Sequence, residues 1–330
     1  MSLAALPNNL PETPASERVG DLLSEALRQI RITGSLQYCY MPSGAWITDA
    51  TPGAYKPRDA IGFHIMTAGT CWLELEGVRT VLEAGDIAAF PFGTPHWIGA
   101  GDGGRLIDPG GDLPPAPWRE TPILRYESEG PIVRILCGYI QCEAMNFRHF
   151  SQLLPTLIHV RTLQAGATDW LAATIKQIVA EVDHPQGGGR SVLERLTELA
   201  FLEVLRRQIL AADASSTGWL AAIQDPALSR CLHFIHSDPG HDWSVEKLAA
   251  ASGLSRSALC DRFAKLLQSS PMHYIRDWRL FLASVRLRSG SASIAEIALD
   301  AGYAAEAAFN RAFSRRYGKP PALWRKTSAA

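Results

Sequence analysis

SIAEIALDAGYAAEAAFNRAFSRRYGKPPALWR, residues 293–325, repeats a pattern that occurs once before in the chain. The earlier copy, SVEKLAAASGLSRSALCDRFAKLLQSSPMHYIR, covers residues 244–276. Each copy starts with a serine, which is a favourable helix N-cap, and continues with apolar residues at helical spacing to a glycine. Gly253 and Gly302 lie 49 residues apart, where each chain segment turns. The pattern predicts a short helix and a glycine turn in both copies.

A second helix is predicted after each turn. Leu259 corresponds to Phe309 and Phe263 to Phe313 at a spacing of 50, so the second turn holds one extra residue. An unbroken helical pattern over 277–291 connects the two copies. A helix, a glycine turn and a second helix with arginines on its exposed side form a helix-turn-helix, whose second helix enters the major groove of DNA.

The formal net charge of −1 conceals an uneven distribution along the chain. Residues 225–330 contain 15 Lys and Arg against 9 Asp and Glu, a net charge of +6, and the remaining residues carry −7. A basic C-terminal third on an acidic body indicates that this third binds a polyanion. For Lys319, Arg325 and Lys326, a solvated surface is an equal alternative.

The region 225–328 resembles the DNA-binding domain of the AraC/XylS transcription regulators, and GYAAEAAFNRAFSRRYGKPPALWR is similar to that family's signature. The resemblance implies recognition helices over Arg256–Leu267 and Ala305–Arg316. The implied DNA contacts are Arg256, Ser257, Asp261, Arg262, Glu306, Asn310, Arg311 and Arg315. Arg311 is the first candidate for a base contact, because arginine pairs bidentately with guanine. Asp261 replaces an arginine that is common in the family, and would accept from a cytosine amino group or orient Arg262.

The first half of the chain has a different texture. Short apolar or alternating runs between about 35 and 142 are punctuated by Gly and Pro, which is typical of an antiparallel sandwich or barrel. A polar segment at 99–118 is predicted to be a long loop, and helical patterns follow at 168–183 and 191–212. An apolar stripe in the last helix predicts a packing face, either for the core or for a dimer. Its members are Leu193, Leu196, Ala200 and Val204.

GDIAAFPFGTPH, residues 85–96, resembles the second cupin motif in its spacing G-x5-P-x-G-x2-H. The first cupin motif would supply two histidines and a glutamate. Residues 62–77 offer only His64, because Met66 stands in the place of the second histidine and the glutamates fall late. AraC/XylS regulators often carry a cupin-like sensor domain ahead of the DNA-binding domain, so the two resemblances support each other.

Together these patterns predict an α+β multidomain protein with an N-terminal cupin-like β-barrel, a helical linker and a C-terminal all-α domain with two helix-turn-helix units. The expected divisions are a disordered N-terminus over 1–20, a cupin-like ligand-sensing domain over 21–145, a helical linker or dimerisation region over 146–218, and the DNA-binding domain over 219–330.

His64 and His96 are expected to meet across the barrel. With Cys71 and Cys137 they would form a Cys2His2 metal site, for which zinc is the suitable ion. Core histidines bonded to carbonyls and buried free thiols are the alternative. A small barrel can also hold one ligand. The effector-binding candidates are His64, Trp72, Phe90 and His96, with Phe63, Phe92 and Trp97 as further candidate walls.

The leading hypothesis is a sequence-specific DNA-binding transcription regulator whose cupin-like domain senses a small molecule or metal, and which is not an enzyme. A metal-dependent cupin enzyme with a helical appendage is the alternative, and a DNA-binding architectural protein without an effector is a third. The expected partners are double-stranded promoter DNA, a small-molecule effector, RNA polymerase if the protein is an activator, and a second copy in a homodimer.

No signal peptide or membrane span is recognisable, since no stretch approaches about 18 consecutive apolar residues. The expectation is a cytoplasmic protein without a membrane partner. The six cysteines include no CxxC pair, which predicts free thiols rather than disulfides.

Overall fold

The structure of the protein, a computed structural model, describes residues 32–51, 60–114, 118, 120–162, 169–211 and 218–328. The chain divides into two compact units, one of Ile30–Ala212 and one that contains Asp213–Ala330. The predicted disorder over 1–20 lies outside the described residues.

The first unit is built on two β-sheets. One has the strand order β11-β6-β3-β10-β1-β9, and the other has the order β5-β4-β7-β2-β8. The strands are β1 (Ile32–Pro42), β2 (Trp46–Asp49), β3 (Ala60–Ala68), β4 (Thr70–Leu75), β5 (Val78–Glu83), β6 (Ile87–Phe90), β7 (Trp97–Ala100), β8 (Arg105–Leu106), β9 (Ile123–Tyr126), β10 (Arg134–Cys142) and β11 (Ile158–Val160).

A shared core joins the two sheets. Met66 and Ile135 from one sheet and Trp46, Leu73 and Ile98 from the other belong to one cluster of buried side chains. The strands β3, β6 and β10 contribute consecutive apolar residues because both of their faces are covered. This arrangement confirms the predicted sheet-rich N-terminal domain.

Helices cover the sheets of the first unit. They are α1 (Pro109–Asp112), α2 (Arg148–Ser151), α3 (Trp170–Asp183) and α4 (Gly189–Ala211). The helix α4 packs against β1 and β11, and α3 packs against β3. Gln37 on β1 donates a hydrogen bond to Thr197 on α4, with 2.9 Å between Nε2 and Oγ1.

The helices α3 and α4 fall in the region over 146–218 that was predicted as a helical linker or dimerisation region, and they belong to the same compact unit as the sheets. Within the predicted stripe, Leu193, Ala200 and Val204 are buried and form core, whereas Leu196 is half-buried. The guanidinium of Arg207 on α4 binds the carboxylate of Asp169 through two hydrogen bonds of 2.6 and 2.8 Å. Asp169 also caps α3, so this ion pair fixes the start of α3 against α4.

The second unit is helical. Its helices are α5 (Trp219–Gln224), α6 (Pro226–Ser237), α7 (Val245–Ser252), α8 (Arg256–Leu267), α9 (Pro271–Ser289), α10 (Ile294–Asp300), α11 (Glu306–Tyr317) and α12 (Pro321–Ser328). The repeated sequence pattern is therefore repeated structure, α7 and α8 first and α10 and α11 second, with α9 between them. Among the described helices of the chain, none is long and apolar enough to cross a membrane.

A half-buried histidine, His236, joins α6 to the long helix α9. The Tyr274 hydroxyl lies 2.9 Å from Nε2 of His236 and accepts a hydrogen bond of 3.0 Å from the Trp219 indole. Trp278 stacks on the His236 ring at 4.1 Å between centroids. Burial, with a smaller effect of His233, lowers the pKa of His236 to about 3. The histidine is therefore neutral in the folded unit at neutral pH.

We expect the stability of the second unit to fall on acidification. The unfolded chain binds a proton at this histidine below a pH of about 6.5, whereas the folded unit does not until its depressed pKa is reached. The contribution is complete above the unfolded pKa and is lost at about 1.4 kcal/mol per pH unit below it. Urea unfolding of the wild-type chain and of His236→Gln at pH 7.5 and 5.5 measures this. The difference between wild type and variant should shrink at pH 5.5, and a constant difference would contradict the assignment.

Candidate DNA interface and ligand cavity

The first helix-turn-helix unit is shaped by two serine caps and a glycine. Ser244 accepts a hydrogen bond from Lys247 N at the start of α7, and Ser255 accepts one from Ala258 N at the start of α8. Gly253 ends α7 at φ 70°, a left-handed conformation that glycine adopts without steric cost. The predicted caps and turn of this unit are thus present.

The second helix-turn-helix unit begins with a complete capping box, in which the side chains of Ser293 and Glu296 each accept a hydrogen bond from the other residue's backbone N–H. Its turn contains Gly302 at φ 77°. Arg279 of α9 packs against this turn and also donates to two carbonyl oxygens, Pro239 O at 2.6 Å and His241 O at 2.7 Å. Arg279 therefore contacts both the segment that leads into the first helix-turn-helix unit and the turn of the second helix-turn-helix unit.

The predicted recognition helices present most of the predicted DNA contacts to solvent. The exposed residues of this set are Arg256, Ser257, Asp261, Glu306, Arg311 and Arg315, and Asn310 is half-buried. The opposite faces are in the core, where Leu259 and Phe263 on α8 match Phe309 and Phe313 on α11.

Arg262 differs from its prediction as a residue of the reading face. Its guanidinium forms an ion pair with the carboxylate of Asp225, which caps α6 through Ala227 N and Leu228 N. At about 100° per residue, Arg262 lies on a different side of α8 from Ser257 and Asp261. The structure gives Arg262 the role of anchoring α8 to the start of α6.

Two exposed residues of α8 correspond to predicted DNA contacts of α11 and were not predicted. Cys260 and Lys265 are exposed on α8 and stand 50 residues before Asn310 and Arg315. The internal spacing alone was enough to identify them. The exposed faces of α8 and α11 differ in charge. In the first helix-turn-helix unit, the positive charge of Arg256 is paired with the carboxylate of Glu246 at 2.9 Å.

The first unit of the chain, Ile30–Ala212, encloses a cavity of about 790 Å³. This volume falls in the range that holds a small organic molecule. His64 on β3, Phe90 on β6 and His96 before β7 line it, as predicted for the effector set, and Phe63 lines it too. The lining also includes Tyr38, Tyr40, Thr48, Asp49, Thr51, Asp108, Pro109, Trp118, Cys137 and Tyr139.

A directed chain of hydrogen bonds lies at the closed end of the cavity. His96 Nδ1 is 2.8 Å from the Thr94 carbonyl oxygen, which can only accept, so Nδ1 carries the proton. His96 Nε2 then accepts from His64 Nε2–H at 2.9 Å. His64 Nδ1 in turn accepts from the Cys137 thiol at 3.2 Å. One tautomer of each ring satisfies the whole chain.

The hydrogen-bonded groups of Cys137, His64 and His96 are uncharged at neutral pH. Burial lowers the pKa of His96 to about 4, and burial together with His96 holds the pKa of His64 well below its usual range. Burial also raises the pKa of the Cys137 thiol. The His96 ring stacks on Phe90 at 3.6 Å between centroids, which further restricts its orientation.

This geometry does not fit the predicted zinc site. His64 uses Nε2 toward His96 and Nδ1 toward Cys137, and these atoms lie on opposite sides of the ring, so one ion cannot bind all three residues. Cys71 Sγ lies in the core at 3.6 Å from Met66 Sδ. Within the described residues, no group of three or more His, Cys, Asp or Glu side chains is placed to hold a metal ion.

Trp72 differs from its prediction as an effector contact, because it is not among the residues that line the cavity. Its indole donates to Gly101 O at 3.2 Å, and the Arg79 guanidinium covers the ring at 4.1 Å from the centroid. Phe92 and Trp97 are exposed and also do not line the cavity. The tyrosines Tyr38 and Tyr40 were missed, although both follow a period of two along β1.

Two recognition helices held by capped turns define a DNA-binding protein of the helix-turn-helix class. Comparison with known proteins identifies its family. Residues 21–209 match the family model described as cupin, and residues 248–327 match that of a helix-turn-helix domain. A putative AraC-like transcription regulator of Streptomyces antibioticus is 38% identical over 93% of this chain and 98% of its own length.

The HTH-type transcriptional regulator AlkR of Acinetobacter baylyi is 26% identical over 93% of this chain and 100% of its own length. Among solved structures, ToxT from Vibrio cholerae O395 covers 92% of this chain and 99% of its own at 10% identity, with a TM-score of 0.38. The chain belongs to the AraC-like transcription regulators, with a cupin domain ahead of its helix-turn-helix domain, and it is a DNA-binding transcription regulator. The resemblances of the sequence are thereby confirmed.

We expect Gly302→Ala to destabilise the chain more than Gly318→Ala. Both glycines have a positive φ, which costs about 1 kcal/mol for alanine at either site. Only at Gly302 would the new Cβ meet Arg279, at 2.7 Å from Nη1, and Arg279 is held by two carbonyls. The measurement is the free energy of unfolding in urea. In an Arg279→Ala background the excess cost at Gly302 should vanish, and equal costs at both glycines would contradict the contact.

Proposed function

We propose that occupancy of the cavity by a small molecule alters the affinity of this regulator for promoter DNA. The observation that carries the proposal is the cavity itself, which is large, partly aromatic and closed by a neutral chain of hydrogen bonds. The same protein presents two exposed recognition helices. The protein thus acts in the cytoplasm as a ligand-responsive regulator.

The chemistry of the cavity supports binding rather than turnover. A general base needs a lone pair within reach of a substrate proton, and the ring nitrogens of His64 and His96 are engaged in the chain toward Cys137 and Thr94. Their protons and lone pairs satisfy one another. We therefore propose that the regulator is not an enzyme, and that these rings form part of a binding surface.

In this proposal each recognition helix reads bases with the exposed residues of its first two turns. Arg311 would bind guanine, and Asp261 or Glu306 would accept from a cytosine amino group. Lys265 and Arg315, at corresponding positions near the ends of α8 and α11, would bind phosphates. Unequal charges on the two faces support a larger contribution from the second unit.

The length of α9 supports simultaneous binding by both units. Its 19 residues extend roughly 28 Å at 1.5 Å per residue. Successive major-groove segments on one side of DNA lie about 34 Å apart. Arg286 on α9 also pairs with Asp300 on α10, which adds to the contact of Arg279 with the second turn. A rigid pair of units on neighbouring groove segments is the geometry we propose.

Partners beyond DNA complete the proposal. Val192 and Leu199 on α4 are 45% and 48% exposed and stand seven residues apart, on one side of the helix. We propose this apolar strip as the contact with a second copy in a homodimer. RNA polymerase would be a partner if the protein activates transcription.

The proposed base contact predicts that Arg311→Ala weakens binding to the specific site by about 1–3 kcal/mol and relaxes the preference at one base pair. Arg315→Ala is the matched control, because removing a cation from a phosphate weakens binding to all sequences and lowers the salt slope by about one. Fluorescence anisotropy measures both effects at two salt concentrations. The DNA probes are the segment upstream of the gene for this protein, single-base variants of that segment, and unrelated DNA. Uniform weakening by Arg311→Ala would contradict base recognition.

A further inference from the structure

The walls of the cavity are aromatic. Tyr38 and Tyr40 come from β1, Tyr139 from β10, and Trp118 from the segment that follows α1. Phe63 and Phe90 complete this set on the neighbouring strands. Aromatic faces carry negative electrostatic potential, so they attract cations as well as apolar groups.

The closed end of the cavity provides no charge of either sign. The protons of the Cys137 thiol and of both imidazoles point along the hydrogen-bonded chain to Thr94 O. Removing such protons or adding one to the rings would break that chain. The closed end therefore suits an apolar or aromatic group of a ligand, which needs no partner there.

Carboxylates line the open part of the cavity. Asp49 ends β2 and accepts from Thr51 N at 3.0 Å through Oδ1, and Asp108 caps α1 and accepts from Gly110 N at 3.0 Å through Oδ1. Both residues are exposed aspartates. Among the lining residues that the structure describes there is no lysine or arginine.

The segment that carries Asp108 is held over the cavity. The Tyr126 hydroxyl donates to Asp112 Oδ2 at 2.6 Å, and the Trp118 indole donates to Pro114 O at 2.7 Å. Arg190 of α4 donates to Trp118 O at 2.7 Å. These bonds give Asp108 and Trp118 defined positions in the lining.

We propose that the cavity binds an organic cation, with an aromatic or other apolar body against the tyrosines and an ammonium group beside Asp49 and Asp108. The inference rests on the proposed ligand-sensing function and names the chemical class of the ligand. An anion of the same shape would meet two like charges. A neutral analogue would keep the apolar contacts and lose the attraction to the carboxylates and the rings.

Three probes of nearly equal shape distinguish the effect of the ligand's charge from that of its apolar part. They are 2-phenylethylammonium, 2-phenylethanol and phenylacetate. Calorimetric titration of the full chain should give the order cation, alcohol, carboxylate, with the cation about fivefold tighter than the alcohol, since each carboxylate is exposed. The preference should narrow at high salt because exposed charges are screened.

Substitutions locate the charge. Asp49→Asn and Asp108→Asn should each lower the affinity for the cation severalfold and leave that for the alcohol unchanged. Asp102→Asn is the matched control, because Asp102 is an exposed acid of the same unit that does not line the cavity. An equal loss at Asp102 would show that the preference comes from overall charge and would overturn the site.

The class of ligand is wrong if phenylacetate binds as tightly as the cation, or if none of the probes binds. The effect on DNA is a separate readout. If the cation binds in the cavity and the affinity for upstream DNA is unchanged, the inferred ligand class stands and the proposed coupling to DNA fails. If the cation changes the DNA affinity and Asp108→Asn reduces that change, both are supported.

Discussion

The carbonyl oxygen of Thr94 sets the direction of every hydrogen bond at the closed end of the cavity. Because a carbonyl only accepts, His96 must be protonated at Nδ1, and the requirement passes through His64 to the Cys137 thiol. The turn that follows β6 places this carbonyl beside His96, with Gly93 at φ 65°. The result is a buried polar network that is satisfied and neutral, which is the condition under which buried imidazoles are tolerated. A metal ion bound between the rings would have to disrupt it.

The two helix-turn-helix units share a scaffold and differ in their chemistry. Leu259 and Phe263 fill the position that Phe309 and Phe313 fill in the second unit, so the core requirement is the same. On the exposed faces the constraint is absent, and Asp261 stands where the second unit has Arg311. Affinity for DNA comes largely from cations at phosphates, whereas an acid contributes only by selecting a base. If Asp261 contacts a base as proposed, the first helix-turn-helix unit is better suited to selecting sequence than to supplying affinity.

The helical half could be predicted from the sequence because its signals are local. Serine caps and apolar spacing are contained within a few residues, and the spacing of 50 residues revealed corresponding positions. The cavity depends on pairing between distant strands. His64 lies opposite Cys137 only because of the register between β3 and β10, which no local pattern encodes. The position of Trp72 outside the cavity lining has the same origin, since alternation along a strand does not say which face is inside.

The ion pair of Arg262 is a second feature that the sequence did not predict. An arginine on a predicted recognition helix is expected to contact DNA, but Asp225 on another segment binds this one. Arg190 of α4 also binds another segment, because its guanidinium donates to the backbone carbonyl of Trp118 in the cavity lining. A ligand alters DNA binding only if it interacts differently with two conformations of the protein. We propose that a ligand that contacts Trp118 and Asp108 stabilises one placement of a segment that is already bonded to α4. In the proposed function, the open end of the cavity is therefore where we expect differences between ligands to affect DNA binding.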